Sequence, residues 1–334
     1  MKSILVTGCA GFIGFSISKK LILKGYKVIG VDNLNNYYDR SSKVERLKIL
    51  KKNKKFNFFK IDINNLSKLK KIYIKNKFNK ILHFAAQPGV QYSFKNPKSY
   101  IKNNIDGFLN ILELAKEIKC KHLIFASSSS VYGLNKIYPL SENQNVDHQI
   151  SIYSMTKRSN ELMAHVYSHN FDLPITGLRF FTVYGPYGRP DMAVLKFISR
   201  IYLGKKIKIF NYGKNIRDFT FIDDAVERVY SLINKIPKAN KNLKKLKPDQ
   251  NISKFRILNI GNSKTIKVIS IIKIIEKILK THAKKEFLPA LKGDVGKTYA
   301  DNKKLRKITK KKSITSYFYG IKKTISWYLD TIKK

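Results

Sequence analysis

Over its first 180 residues, the chain alternates short apolar segments with longer segments in which apolar residues recur near helical spacing. The apolar segments, which we predict as strands, are residues 3–7, 27–31, 56–60, 80–84, 122–126 and 175–180. The segments predicted as helices are residues 12–24, 41–51, 66–77, 100–118 and 151–170. This alternation is typical of a parallel sheet that is covered by helices on both faces. The sequence therefore predicts an α/β fold with a doubly wound parallel sheet.

Three glycines follow the first predicted strand, in the segment Thr7-Gly8-Cys9-Ala10-Gly11-Phe12-Ile13-Gly14. Glycines there allow a tight turn and let the backbone approach a pyrophosphate at the N-terminus of the next helix. The second predicted strand leads to Asp32, whose carboxylate can bind an adenosine ribose and would repel a 2′-phosphate. This order of features indicates a Rossmann-type dinucleotide site that takes NAD rather than NADP.

Beyond residue 180 the regular alternation ends. Helices are predicted at residues 193–203, 222–235, 267–280 and 314–328, and a late strand at residues 257–260 can rejoin the first sheet. We therefore expect an NAD-binding Rossmann domain over residues 1–180. Residues 181–334 are expected to form a smaller α/β lobe that binds the substrate and is interleaved with the first domain.

A tyrosine and a lysine stand four residues apart in Tyr153-Ser154-Met155-Thr156-Lys157, which places them on one face of a predicted helix. Because a nearby cation stabilises a phenolate, we expect the pKa of Tyr153 to fall from about 10 toward working pH. The phenol would then act as a general base on a sugar hydroxyl. Four serines at residues 127–130 follow a predicted strand, at the end where ligands bind in open α/β sheets.

Composition excludes several classes of protein. Apolar residues make up 43% of the chain and aromatic residues 12%, which is enough for a packed core and excludes disorder. Two cysteines, Cys9 and Cys120, cannot form a disulfide framework or a zinc cluster, so we expect no metal site and a cytoplasmic location. No apolar run approaches the roughly 18 residues of a membrane span, so no membrane partner is expected.

The formal net charge of +45 raises the question of a nucleic-acid partner. Only 10 of the 67 basic residues are arginine, the residue that contacts phosphates and bases bidentately. The lysines are spread over many segments, which favours a bias in composition over a binding patch. A nucleic-acid-binding protein is the alternative from a different class, but it would leave Tyr153, Lys157 and Ser128 without a role. We expect no nucleic-acid partner.

The glycine motif, the serine-rich strand end and the Tyr-x-x-x-Lys helix together resemble the extended short-chain dehydrogenase/reductase family of nucleotide-sugar enzymes, the NAD-dependent epimerases and dehydratases. The resemblance covers nearly the whole chain. Longer matching segments are residues 32–39, 160–165, 178–186, 188–193, 211–213 and 217–220. Within the family, these segments are most similar to the enzymes that act on C4 of UDP-glucuronate.

The resemblance implies a role for each matching residue. The residues implied to hold NAD are Gly8, Gly11, Phe12, Ile13 and Gly14 at the pyrophosphate, Asp32 at the adenosine ribose, Asp62 and Ile63 at the adenine, Ala85 and Asn104 along the cofactor channel, and Tyr153 and Lys157 at the nicotinamide end. The residues implied to act on the sugar nucleotide are Tyr153 as catalytic base with Lys157 beside it, Ser128 at the sugar O4, Thr182 and Arg189 at the carboxylate, and Arg217 at the diphosphate. Related sequences often carry arginine where this chain has Gln91, so one cationic contact to the substrate is expected to be missing.

The reaction implied is a reversible inversion at C4 that converts UDP-glucuronate to UDP-galacturonate through a 4-keto intermediate, with NAD bound tightly throughout. Two alternatives remain open. A UDP-glucose 4-epimerase has no need of a carboxylate contact such as Arg189, and a UDP-glucuronate decarboxylase would share most of the site. A 4,6-dehydratase is disfavoured because Ser129 and Ser130 supply no carboxylate beside Ser128. The resemblance also implies a homodimer.

Overall fold

A computed structural model describes residues 3–240, 246, 248–249, 252–310 and 314–332 of the chain. The strands in these ranges are β1 (Ser3–Thr7), β2 (Lys27–Asp32), β3 (Phe56–Lys60), β4 (Lys80–His83), β5 (His122–Ser128), β6 (Ile175–Phe180), β7 (Thr182–Tyr184), β8 (Ile207–Ile209), β9 (Ile216–Arg217), β10 (Phe219–Phe221), β11 (Phe255–Ile260), β12 (Ile266–Lys267) and β13 (Lys285–Phe287). The α-helices are α1 (Phe12–Leu23), α2 (Ser41–Lys51), α3 (Leu66–Asn76), α4 (Val90–Lys95), α5 (Pro97–Tyr100), α6 (Gly107–Glu117), α7 (Ile152–Phe171), α8 (Ala193–Tyr202), α9 (Ile222–Leu232), α10 (Val268–Leu279), α11 (Lys303–Thr309) and α12 (Tyr317–Ile332).

Seven parallel strands form the central sheet in the order β11-β6-β5-β4-β1-β2-β3. Strands β1 to β6 lie where the sequence predicts them, and β11 contains the late strand predicted at residues 257–260. The order reverses between β1 and β4, which is the arrangement of a doubly wound Rossmann-type sheet. The predicted fold class is therefore confirmed, with one strand added at the β6 edge.

Alternate side chains of the strands pack into two cores on opposite faces of the sheet. In β1, Ile4 and Val6 belong to the core that contains Phe15 of α1, whereas Leu5 belongs to the core that contains Phe108 of α6. Because both faces are covered, the strands are apolar along most of their length. Because the strands are parallel, their carboxyl ends meet at one edge of the sheet, which is where ligands bind in open α/β sheets.

The predicted helix at residues 100–118 is not continuous. It begins as α5, passes through a π-helical segment, Ile101–Asp106, and continues as α6. An apolar repeat does not distinguish a π-helical turn from an α-helical one, so the sequence pattern could not show this interruption.

The later part of the chain contains three small pairs of strands, β7 with β10, β8 with β13, and β9 with β12. None was predicted, and neither were α4 and α11, because elements of two to seven residues carry too little periodicity. The division of the chain at residue 180 into two domains stays a prediction. No helix within the described ranges combines the length and the apolar character that spanning a bilayer requires.

Candidate active site

One cavity of about 480 Å³ lies at the carboxyl ends of the central strands. Most of the residues singled out in the sequence contribute to its wall. They are Gly8, Gly11, Phe12, Ile13, Gly14, Asp32, Ile63, Ala85, Ser128, Tyr153, Lys157, Thr182, Arg189 and Arg217. Its volume falls within the range of small-molecule sites. The residues predicted for the cofactor and those predicted for the substrate thus share one continuous cavity.

The glycine loop between β1 and α1 is packed so closely that side chains would not fit. Gly8 has a φ of +70°, and a Cβ atom there would lie 2.6 Å from the backbone nitrogen of Ala85. A Cβ atom at Gly14 would lie 2.1 Å from the carbonyl oxygen of Gly8. Gly11 is the N-cap of α1 and has no side chain to cap the free N–H groups of the first turn. These groups and the bare backbone fit a pyrophosphate.

Asp32 lies at the end of β2 with its carboxylate buried against the same loop. The carboxylate accepts hydrogen bonds from the backbone N–H groups of Ala10, at 3.2 Å, and Leu34, at 2.9 Å. Lys43 Nζ lies 4.0 Å from Asp32 Oδ1. The carboxylate is therefore fixed at the cavity wall, where the ribose of a dinucleotide would extend from the glycine loop.

Two of the predicted cofactor residues, Asp62 and Asn104, are not among the described residues that line the cavity. Asp62 accepts hydrogen bonds from Asn33 Nδ2 and from Asn64, which overcome the effect of its partial burial and lower the pKa of its carboxyl. It thereby holds the turn that carries Ile63 into the wall of the cavity. Its direct contact with adenine stays a prediction.

Asn104 lies within the π-helical segment and bridges two other elements. Its Oδ1 accepts a hydrogen bond from the backbone N–H of Gln87 at 2.7 Å, and its Nδ2 donates to Thr156 Oγ1 on α7 at 3.0 Å. Its carbonyl oxygen accepts a hydrogen bond from Asn160, also on α7. Asn104 therefore fixes α7 against the loop after β4, and its contact with the cofactor stays a prediction.

Helix α7 carries the tyrosine and the lysine and begins at a capping box. The Ser151 side chain accepts a hydrogen bond from the backbone N–H of Ser154, and the Ser154 side chain accepts one from the backbone N–H of Ser151. Lys157 Nζ donates a hydrogen bond to the carbonyl oxygen of Ala126 at 2.9 Å. Burial lowers the pKa of Lys157 to about 8.

The prediction that the pKa of Tyr153 is lowered is wrong. Burial of the phenol raises its pKa, and the opposing effects of the Ser128 hydroxyl and the Arg189 charge do not cancel this. The Lys157 ammonium group donates its hydrogen bond to the carbonyl oxygen of Ala126. A phenol in this setting stays protonated until further positive charge reaches the cavity.

Ser128 ends β5 and caps the short 3-10 turn Ser129–Tyr132. Its Oγ accepts a hydrogen bond from the backbone N–H of Ser130 at 3.1 Å and donates to Ser130 Oγ at the same distance. The hydroxyl is therefore oriented beside Tyr153, where the two can contact the same oxygen of a ligand.

Arg189 also lines the cavity and contacts three side chains, those of Asp191, Tyr37 and Tyr38. Asp191 forms a two-pronged ion pair with Arg189. The Cζ atom of Arg189 lies 5.5 Å from the centre of the Tyr37 ring and 5.9 Å from that of the Tyr38 ring. Burial tends to lower the pKa of Arg189, but Asp191 outweighs this and raises it. Sequence reasoning missed the roles of these three residues, although all of them lie in the matching segments 32–39 and 188–193.

Arg217 lies on the small strand β9 and also faces the cavity. Its Nη2 forms an ion pair with Asp294 at 2.8 Å, and its Nη1 donates to the carbonyl oxygen of Gly296. Gln91 Nε2 donates to the carbonyl oxygen of Lys292 at 2.8 Å, so this neutral side chain holds the loop that precedes Asp294. Asp294 lies outside every motif in the sequence and gave no signal.

A buried ion pair connects α7 to the sheet below the cavity. Glu161 lies one turn beyond Lys157 and binds Arg179 of β6 through two contacts, Nε to Oε1 at 2.8 Å and Nη2 to Oε2 at 2.9 Å. Ser127 Oγ of β5 donates to the same carboxylate at 2.6 Å. One carboxylate thus joins α7 to the two strands that end at the site.

The sequence and the fold were compared with known proteins. Residues 4–244 match the model of the NAD dependent epimerase/dehydratase family. The chain is 44% identical to protein CapI of Staphylococcus aureus over 99% of both chains, and 41% identical to a UDP-glucuronate 4-epimerase of Thermodesulfobacterium geofontis over 98% of this chain and 97% of the relative. The crystal structure of UDP-glucuronic acid 4-epimerase from Bacillus cereus, in complex with UDP-glucuronic acid and NAD, is similar with a TM-score of 0.87 and 34% identity, covering 98% of this chain and 99% of that one.

Proposed function

Because the chain belongs to the NAD-dependent epimerase/dehydratase family, we propose that it interconverts UDP-glucuronate and UDP-galacturonate by inversion at C4. The observation that carries the proposal is the single cavity that Tyr153, Ser128 and Arg189 line together with the glycine loop. A phenol, a hydroxyl and a guanidinium that line one cavity support a reaction on a sugar that carries a carboxylate. Relatives named UDP-glucuronate 4-epimerase match over nearly their whole length, which supports the same reaction.

The residues around the glycine loop fit NAD. Gly8, Gly11 and Gly14 let the loop pack tightly on backbone atoms of Ala85 and Gly8, where a Cβ atom would not fit, and the N-terminus of α1 can bind a pyrophosphate. Asp32 fits the ribose hydroxyls and opposes a 2′-phosphate. When bound, NAD supplies the oxidant that takes the hydride from C4 and gives it back.

Tyr153 and Ser128 would manage the proton of the C4 hydroxyl. Ser128 is fixed by its hydrogen bonds to Ser130 and can bind the sugar O4 while Tyr153 removes or returns the proton. Burial keeps the pKa of Tyr153 high, and the positive charge of an oxidised nicotinamide in the same cavity would lower it. The phenol is thereby suited to give up its proton only when the oxidant is present.

The carboxylate of the substrate needs a firm partner, because oxidation at C4 turns the sugar into a β-keto acid that can lose carbon dioxide. We propose that Arg189 and Thr182 hold this carboxylate, before and after the ring turns, in an orientation that disfavours C–C cleavage. A guanidinium fits a carboxylate through two parallel hydrogen bonds. Arg217, fixed by Asp294, would bind the diphosphate.

The reaction is tested by incubating the purified protein with UDP-glucuronate and separating the products by chromatography with mass detection. We expect a product with the same mass as UDP-glucuronate and the retention time of UDP-galacturonate. Incubation with UDP-galacturonate should likewise yield UDP-glucuronate. Formation of a UDP-pentose with release of carbon dioxide would identify a decarboxylase instead. Turnover of UDP-glucose at a higher kcat/KM than UDP-glucuronate would identify a UDP-glucose 4-epimerase.

We also propose that the protein forms a homodimer in the cytoplasm. Helices α6 and α7 pack against each other and expose apolar side chains along their outer surface, among them Leu109, Leu162 and Val166. A second copy that applies the same two helices would bury this stripe in a symmetric four-helix contact. The cytoplasmic location is supported by Cys9 and Cys120, which are free and buried thiols.

A further inference from the structure

Arg189 has a permanent anionic partner in Asp191. Nε lies 3.0 Å from Asp191 Oδ1, and Nη2 lies 2.5 Å from Oδ2, so the aspartate covers one edge of the guanidinium. The Tyr37 and Tyr38 rings limit its movement out of the plane. The side chain of Arg189 is 16% exposed and that of Asp191 is 36% exposed, so Asp191 is the solvent-facing member of the pair.

A guanidinium has two edges that can each bind a carboxylate. Asp191 uses the edge formed by Nε and Nη2, so it does not engage the edge formed by Nη1 and the second hydrogen of Nη2. Arg189 can therefore hold a sugar carboxylate while its bond to Asp191 persists. The two carboxylates would lie on adjacent edges of one cation, and each would weaken the attraction for the other.

Inversion at C4 requires the 4-keto sugar to present its other face to the nicotinamide, so the ring must turn inside the cavity. The carboxylate on C5 turns with the ring and must leave the guanidinium and return to it. Without Asp191, each turn would leave a largely buried cation with no anionic partner, which is costly. We propose that Asp191 is a positioning residue that keeps Arg189 paired and aligned while the sugar carboxylate is released and bound again.

This proposal rests on the proposed function, because it assumes that Arg189 binds the sugar carboxylate. It predicts an unusual change for Asp191→Asn. With the competing charge gone, Arg189 should bind UDP-glucuronate about 3- to 10-fold more tightly, as suits a partly exposed pair. Since release becomes harder, kcat should fall by a similar factor while kcat/KM changes little. Asp191→Glu, which keeps the charge, should restore both values toward those of the wild type.

The experiment measures Kd by calorimetry and kcat and KM by product analysis for the wild type, Asp191→Asn, Asp191→Glu and Asp172→Asn. Asp172 forms a surface ion pair with Lys254 and serves as the matched control, for which no change is expected. Binding of UDP-glucose, which lacks the carboxylate, should be the same in all four. The bound NAD content of each variant reports whether the fold is intact.

Weaker binding of UDP-glucuronate to Asp191→Asn, or equal changes for UDP-glucose, would overturn the role of Asp191. Arg189→Ala separates this failure from failure of the proposed function. If Arg189→Ala weakens the binding of UDP-glucuronate far more than that of UDP-glucose, the carboxylate contact is supported and only the proposal for Asp191 is rejected. If it weakens both equally, Arg189 does not bind the carboxylate, and both proposals fall together.

Discussion

Replacing Glu161 with glutamine should destabilise the protein by about 3 kcal/mol. Glu161 and Arg179 are both buried, and their two short contacts are those of a paired carboxylate and guanidinium. Breaking a buried pair typically costs about 3–5 kcal/mol, because the remaining charge has no anion to balance it. Glutamine keeps one oxygen that can accept a hydrogen bond from Arg179, so we expect a cost at the lower end of this range. Arg179 Nη1 already lacks a hydrogen-bond partner among the described residues, which leaves little to compensate the loss.

The assay is equilibrium unfolding in urea, with the free energy of unfolding compared at equal m-values. Glu117→Gln is the matched control, since Glu117 pairs with Lys70 on the surface and its loss should cost less than about 1 kcal/mol. A double variant, Glu161→Leu with Arg179→Met, should recover most of the loss by replacing the pair with apolar contacts. A cost below about 1 kcal/mol for Glu161→Gln, or a double variant no more stable than the single one, would refute the reasoning.

Because of the same ion pair, the free energy of unfolding should depend on pH. Burial alone would raise the pKa of Glu161, but the charge and hydrogen bonds of Arg179 and Ser127 outweigh it and lower the pKa below the unfolded value of about 4.3. The stabilisation is therefore fully present above that unfolded value and is lost as the pH falls through the folded one. Unfolding free energies of the wild type and Glu161→Gln should differ most near neutral pH and converge in acid. A constant difference down to pH 3 would contradict this sign.

Three further variants test the site and the assembly. Tyr153→Phe should lower kcat by at least about 100-fold with bound NAD retained, because it removes the proposed base without changing the shape of the side chain; residual activity above a few per cent, measured by product formation, would assign the base elsewhere. Gly14→Ala should purify with little NAD, since the new Cβ atom would lie 2.1 Å from the carbonyl oxygen of Gly8; normal occupancy in the nucleotide released by denaturation would show that the loop can move aside. Leu162→Glu should shift the protein from dimer to monomer in light scattering because it places a charge in the proposed apolar contact, and an unchanged mass would place the interface on another surface.

The sequence predicted the elements that repeat a long apolar pattern and missed those defined by a few residues. The sheet strands are apolar on both faces, so they are distinct from the helices between them. The pairs β8 with β13 and β9 with β12 involve only two or three residues from each strand, which are brought together by the rest of the fold. No local pattern in the chain carries that information.

The sequence indicated most of the residues that line the candidate site, but not the pKa shifts and ion pairs among them. The spacing of Tyr153 and Lys157 indicates a shared helix face, yet the direction of the Tyr153 pKa depends on burial that only the folded chain defines. Likewise, the resemblance implies cofactor contacts for Asp62 and Asn104, but their side chains are occupied in holding neighbouring segments. Asp191 became significant only when its distance from Arg189 was known.

The return of β11 to the edge of the sheet has a consequence for synthesis on the ribosome. Every residue of β6 is buried, and residues 255–260 provide its second hydrogen-bonded neighbour. Until those residues leave the ribosome, some 75 residues after β6, this strand presents an unpaired and apolar edge. A nascent chain or recombinant fragment that stops near residue 180 should therefore aggregate, and the sheet becomes complete only when most of the polypeptide has been made.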